Sequence, residues 1–311
     1  MPDAGNVRVT VGIVTKNRPE ALQKCLSSLA LLGDSLVDVI LVDDTCDVPV
    51  EASVRERTIP PTVAARLRVI RHARHEGYIV GRNSIMREAS TPFVLLMDDD
   101  AWLLDARSVM RAFGVMAEQP KVGAVAFAMA TADGSPWEAR MQPAPVEYAC
   151  RVPCFIGFAH VLRRDVFLGL GGYREAFQFY GEEKEYCLRL MNAGYEVVYL
   201  PEARAVHVPH PASRSQSRYV RLTIRNDCFG ALVNEPLPLP LLTVPVRLSR
   251  YLSMRRNAGM RDPGGLMWIV GELMKSFPAI VRSRRPVTWA TLREWRRLRR
   301  EWPAYDAPAA A

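Results

Sequence analysis

Five apolar residues, Phe93 to Met97, run straight into three carboxylates, Asp98, Asp99 and Asp100. A continuous apolar run of that length reads as a strand buried on both faces, as in a parallel sheet. Carboxylates at the carboxyl end of such a strand stand where open α/β sheets place their ligands. Three adjacent negative charges repel one another. A divalent cation held by oxygen ligands, itself carrying a diphosphate, is the economical compensation. The plainer alternative is a solvated acidic loop, so the surrounding elements have to decide.

Those elements read as alternating strands and helices. Val7, Val9, Val11 and Ile13 alternate with other residues and predict a first strand. A turn follows at Thr15–Arg18. Pro19 suits the first turn of a helix whose Leu22, Leu26 and Leu29 share one face, with Gly33 placed to end it. Val37 to Val42 predicts a second strand, ending in Asp43 and Asp44, and Leu67 to Ile70 a third. A helix from Arg82 to Ala89 leads into the strand that ends at Asp98, and Val122 to Met129 is a further strand. This order predicts a doubly wound α/β sheet. Right-handed crossovers then set the strand ends carrying Thr15, Asp43 and Asp98 along one edge. Further on, Ile156 to Phe167 predicts a strand leading into a short helix. Gly169, Gly171 and Gly172 make a turn, Glu182 to Asn192 a helix closed by Gly194, and Glu196 to Leu200 a strand.

Six short motifs in this order carry a resemblance. Val11-Gly12-Ile13-Val14-Thr15-Lys16-Asn17-Arg18-Pro19 is similar to the opening strand of family 2 glycosyltransferases. Leu41-Val42-Asp43-Asp44 resembles the end of that family's second strand, and Glu76 to Asn83 its glycine–arginine–asparagine turn. Asp98 to Asp100 resembles its metal-binding D-x-D. Gly171-Gly172-Tyr173 with Tyr180-Gly181-Glu182-Glu183 resembles its acceptor-side segment, and Ala205-Val206-His207 its late histidine. The resemblance covers about residues 7–210. It implies the GT-A fold: an α/β, Rossmann-like, mixed and mainly parallel sheet flanked by helices. It also implies inverting, metal-dependent transfer of a sugar from a nucleotide donor.

The resemblance assigns roles that the residue types support. Asp98, Asp99 and Asp100 are the candidate ligands of Mn2+ or Mg2+, with Asp98 and Asp99 also candidates for the nucleotide's ribose. A divalent ion bridging a diphosphate acts as Lewis acid and template. His207 is a further candidate ligand, or a structural histidine. Asp43 accepts a uracil or thymine imide N–H, with Asp44 its competitor, which favours UDP- or dTDP-sugars; the alternative for both is a polar turn. Thr15 and Arg18 border the base. Arg82 neutralises phosphate with an always-charged guanidinium, or is a surface arginine at a helix start, and Asn83 caps that helix. Inversion needs a general base on the acceptor hydroxyl. Glu183 falls at that position with Glu182 second, although the family shows Glu-Asp there. Two glutamates favoured by the dipole of a helix's first turn are the alternative. Glu185 reads as structural or acceptor-facing.

The charge divides the chain. Residues 1–203 hold 22 Lys/Arg and 26 Asp/Glu, whereas residues 204–311 hold 19 and 7. A basic, Pro-interrupted helical extension, residues 211–311, therefore follows a catalytic domain at 1–210. Trp289, Leu292, Trp295, Leu298 and Trp302 recur at three- and four-residue steps among arginines. Such a helix suits an anionic membrane surface, or docks its Trp stripe on the catalytic domain. No nucleic-acid motif accompanies it, so no nucleic-acid partner is expected. No apolar stretch reaches the ~18 residues of a membrane span, and no signal peptide is read at the start. The six cysteines show no C-x-x-C pair and read as small apolar packing residues.

These readings converge on a hexosyl- or deoxyhexosyltransferase of cell-envelope polysaccharide synthesis. Its acceptor is a glycan or lipid-linked hydroxyl. Its expected place is cytoplasmic, either free or peripheral on the cytoplasmic face of the membrane. The rivals are a nucleotidyltransferase and a non-catalytic, membrane-docked scaffold with a decayed sugar-nucleotide site.

Overall fold

Apolar continuity builds the centre of the molecule. The computed structural model describes residues 8–56, 58–208 and 215–306; Val7 and the terminal 307–311 lie outside them. Strands β1 (Val9–Thr15), β2 (Leu36–Asp43), β3 (Leu67–Arg71) and β4 (Phe93–Asp98) pair in parallel in the order β3-β2-β1-β4. Thr15 sits opposite Asp43, and Val14 opposite Asp98. The three chemistry-bearing strand ends therefore stand side by side, as right-handed crossovers require.

The second half of the sheet reverses direction. It contains β5 (Ala101–Leu103), β6 (Val122–Ala130), β7 (Cys150–Arg151), β8 (Ala159–Arg163) and β9 (Glu196–His207). β8 is antiparallel to both β4 and β6, β6 runs parallel to β9, and β5 and β7 pair antiparallel with β9. The sheet is thus mixed, with its longer pairings parallel. β9 outruns the expected Leu200 end by seven residues. Its register with β6 shifts between Phe127 and Ala128, and this irregularity absorbs Pro201, Glu202 and Ala203. The extension brings His207 opposite Ala101.

Helices α1 (Pro19–Ser28), α2 (Val50–Glu56), α3 (Pro61–Ala64), α4 (Tyr78–Glu88), α5 (Ala106–Glu118), α6 (Arg164–Gly169) and α7 (Glu182–Asn192) flank the sheet. α5 was not foreseen from the pattern, although the Asp105 side chain caps it at Ser108 N–H. Past α1 the chain tightens into a 3₁₀ turn, and Gly33, at φ +52°, falls near the end of that turn. α4 begins four residues earlier than expected, after Gly77 at φ +88°. This moves Arg82 and Asn83 into the helix interior, and Asn83 is not its cap. All six cysteines are free thiols and five are buried.

The basic extension forms α8 (Gln216–Asn234), α9 (Leu239–Asn257), α10 (Gly265–Lys275), α11 (Phe277–Ser283) and α12 (Trp289–Glu301). The expected boundary at 210 falls among undescribed residues. α12 uses its apolar stripe inward. Leu292, Trp295 and Leu298 are buried, and Trp295 shares an apolar cluster with Tyr186 and Leu190 of α7. Beyond it, Pro303 C=O accepts from Arg151 N–H (2.9 Å), and Tyr305 N–H donates to Ala149 C=O (2.8 Å). Of the two alternatives for the amphipathic stripe, a membrane surface or docking on the catalytic domain, the packing matches docking; of its tryptophans, Trp289 stays exposed. Trp295→Ala should destabilise the fold by about 3 kcal/mol, the usual cost of emptying a large buried aromatic site. Urea denaturation checks this, and an unchanged midpoint would mean that α12 is not docked in solution.

Candidate active site

The site assembles where β1, β2 and β4 end, closed from the other side by the start of α7. Asp98 ends β4, and Asp99 and Asp100 form the turn into β5. The three carboxylates part company there. Thr15 Oγ1 donates to Asp99 (2.6 Å), and Arg18 donates to both Asp99 and Asp100 (3.0 Å each). Burial pushes the Asp99 carboxyl up to about 6; Arg18 and Thr15 oppose this, while Asp100 and Asp98 add to it. Thr15 and Arg18, expected at the base, therefore hold the acidic turn.

Asp98 and Asp100 face His207. One ligand atom from each of the three lies within 4.8 Å of the others. The pairing of β5 with β9 creates this closeness, reinforced by Val208 N–H donating to Asp100 C=O (3.1 Å). The His207 ring stacks on Phe158, centroids 5.3 Å apart. Its Nε2 lies 3.3 Å from Asp100 Oδ1, and both atoms are buried without a hydrogen bond. Burial works to raise the Asp100 carboxyl, but His207 and Arg18 hold it below the usual range. Two carboxylates and an imidazole, two of their atoms orphaned and aimed together, are a donor set that fits Mn2+ or Mg2+. Asp99 stands outside this cluster, because its oxygens serve Thr15 and Arg18.

Arg82 joins this cluster to the glutamates. Its guanidinium donates to Asp98 (2.7 Å), to Gly157 C=O (2.6 Å) and to Glu182 (3.4 Å), and lies 3.9 Å from Glu183. It also covers the ring of Tyr78. Glu182 is fully buried, and Glu183 opens towards solvent with a side chain 20% exposed. Burial first, and then the neighbouring Glu183, drive the Glu182 carboxyl well above its ordinary range.

The remaining expected residues do structural work. Asp43 accepts from Cys46 N–H, Val50 N–H and Arg71. Asp44 meets Glu76 N–H, Gly77 N–H and the Nδ1 atoms of His72 and His75. A carboxylate has about four lone-pair positions. Asp44 has filled them and organises the loop before α4; Asp43, fully buried and also bonded by the Cys46 thiol, has filled its own. Asn83 grips the backbone N–H and C=O of Tyr173 (2.9 and 2.8 Å), fixing the glycine turn before it. Glu185 is buried among Arg174, Arg189 and Asn234, a structural place.

Sequence reasoning gave no individual role to Gly157, Phe158, Tyr78 or Asn226, although Tyr78 lies within the Glu76–Asn83 motif. Asn226 of α8 donates to the carbonyls of Phe177, Phe179 and Tyr180, so the basic extension braces the loop before Glu182. A glycine inside the apolar run Phe155–Phe158 was the available signal of close backbone approach.

The sequence profile described as Glycosyl transferase family 2 matches residues 10–170. The chain belongs to that family. Family 2 accounts for the GT-A sheet seen here, and solved structures share it. A mannosyltransferase of Pyrobaculum calidifontis, in complex with GDP-Man and Mn2+, has TM-score 0.60 at 18% identity and covers 96% of this chain and 86% of its own. GalNAc-T7 with UDP, GalNAc and Mn2+ has TM-score 0.61 at 15% identity, covering 89% and 58%. The TarS fragment 1–349 of S. aureus with UDP has TM-score 0.56 at 15% identity, covering 87% and 81%. The O-antigen biosynthesis protein RfbC of Myxococcus xanthus is 25% identical over 239 residues, 70% of this chain. The chain spans only 18% of the length of RfbC.

Two outcomes follow from the geometry. A Cβ at Gly157 would run into the Glu183 carboxylate and press on Arg82. Gly157→Ala should cut sugar transfer on the order of a hundredfold, the usual effect of a small misplacement, while nucleotide affinity by calorimetry stays unchanged. Glu182, with its folded pKa raised, keeps a proton that the unfolded chain releases above about pH 4.3. The native state then binds more protons, and its stability falls as pH climbs through that window towards the folded pKa. Thermal melts across pH 5–9 should show this slope flattened in Glu182→Gln; parallel slopes would mean that Glu182 is not the group responsible.

Proposed function

We propose that this protein is an inverting glycosyltransferase that moves a sugar from a nucleoside-diphosphate donor to an acceptor hydroxyl, with Glu183 as general base. One observation carries the reading: the buried Arg82 bridges the Asp98–Asp100–His207 cluster to the Glu182–Glu183 pair. Asp98, Asp100 and His207 would hold a divalent cation, which supplies charge neutralisation for the diphosphate leaving group. Glu183, open to the site, takes the acceptor's hydroxyl proton as the oxygen attacks the anomeric carbon. The sugar–phosphate bond breaks on the opposite face, and its electron pair leaves with the nucleoside diphosphate. Arg82 keeps Asp98 and the glutamate pair in fixed relation throughout. Glu182, raised in pKa and buried, serves as the anchor of Arg82 on α7.

Solved neighbours hold UDP as well as GDP-Man, which supports a nucleoside-diphosphate sugar as donor. The likeness to RfbC supports a glycan or lipid-linked acceptor of the cell envelope. Calorimetric titration of UDP, dTDP and GDP, each with and without Mn2+, tests the reading. One nucleotide should bind only with the metal, and Asp100→Asn should abolish that binding. Glu183→Gln should leave it intact while lowering turnover of the matching nucleotide sugar by about two to four orders of magnitude. No nucleotide binding under any condition would favour the decayed scaffold, and full turnover in Glu183→Gln would remove Glu183 as the base.

A further inference from the structure

The largest set of exposed apolar side chains in the extension lies on α9, α10 and α11 rather than on α12. α10 lays Gly265 and Ile269 inward, and its other side presents Met267, Val270 and Met274. Spacings of three and four residues put these on one face. Phe277 and Val281 of α11 continue the exposed apolar set. Met267 is 80% exposed and Met274 72%. α9 repeats the arrangement: it buries Tyr251 and leaves Leu241, Leu242 and Val246 open. α9 and α10 share one small apolar cluster on α8, so these open faces are the outside of the extension. Isolated exposed apolar side chains are ordinary, but a set this extensive marks an interaction surface.

Charge selects the occupant. Residues 239–285 contain nine Lys or Arg and only two acidic residues, Asp262 and Glu272. Asp262 is bound by Arg221 and Tyr251, and Glu272 by Lys275. At the carboxyl end of α9, a depression of about 600 Å³ is lined by Ser249, Ser253, Arg255 and Arg256, with Leu252 and Met260 beside them. A second copy of the chain would bring two basic surfaces together, which costs like-charge repulsion. An anionic lipid surface satisfies both the apolar and the basic chemistry. Among the described residues no helix is long and apolar enough to cross a membrane, so the fit is to the interface.

We infer that α9, α10 and α11 form a docking face for an anionic bilayer, with Met267, Val270, Met274, Phe277 and Val281 entering the acyl boundary and Arg255, Arg256 and Arg282 meeting headgroup phosphates. α8, on which these helices rest, also holds the loop before Glu182 through Asn226. On the transfer reading above, docking and acceptor capture therefore share one element.

Co-sedimentation of the full chain with vesicles decides the matter. Vesicles with roughly 30% phosphatidylglycerol in phosphatidylcholine should bind the protein, pure phosphatidylcholine should bind it far less, and high salt should weaken binding. The double variant Met267→Glu, Met274→Glu should lose binding roughly tenfold or more, whereas Trp289→Glu on α12 should not. Mn2+-dependent nucleotide binding, measured in parallel, should persist in both variants and so reports the fold. Absence of vesicle binding, or binding that survives the double variant, overturns the proposal. So does a dimer on gel filtration that the double variant converts to monomer, which would assign the face to a second copy. If docking fails while nucleotide binding and turnover remain, the transfer reading stands; the reverse pattern leaves the docking face in place.

Discussion

A single buried guanidinium sets the arrangement of this site. Arg82 is nearly inaccessible to water, yet it is always charged. Such a charge is tolerated only when paired and hydrogen-bonded, and leaving one partner unpaired costs about 3–5 kcal/mol. Asp98 from β4, the Gly157 carbonyl ahead of β8 and Glu182 from α7 are therefore held by the same ion. Two halves of the sheet and the helix that carries the glutamates meet at this point. Gly157 has no side chain because a Cβ there would occupy the space of Glu183.

The glutamate pair shows how one dipeptide yields two environments. Side chains adjacent on a helix point about 100° apart, so Glu182 enters the protein and Glu183 meets the opening. Burial then favours the neutral form of Glu182. The acidic run divides similarly. Asp98 and Asp100 share a side with His207, while Asp99 is drawn to Thr15 and Arg18. Neither division adds a residue to the motif; each assigns the residues already present.

The helical extension is part of the site's construction. Asn226 fixes three carbonyls before α7, Asn234 reaches Glu185, and Trp295 packs beneath the same helix. Its outer helices keep exposed apolar side chains, among them Leu241, Met267 and Met274. An extension that reads as a separate basic module is therefore a brace on its inner side and an apolar face on its outer side.

The sequence by itself determined much of this protein. Apolar runs ending in polar residues located β1, β2, β4 and β6. The order of those runs placed Thr15, Asp43 and Asp98 on one edge, and the motifs named Arg82, Asp98, Asp100, Glu183 and His207. These features were legible because they arise from local periodicity and from residue chemistry. What only the tertiary structure decided was partnership. Asp44 and Asn83 carry motif positions yet spend their hydrogen bonds on backbone groups dozens of residues away. His207 reaches Asp100 because an irregularity carries β9 past Pro201. Gly157, Tyr78 and Asn226 became visible only once distant segments met. Trp295 turned inward, and Met267 and Met274 outward, by the same rule. An amphipathic pattern states that a helix has an apolar face, and only packing states what that face touches.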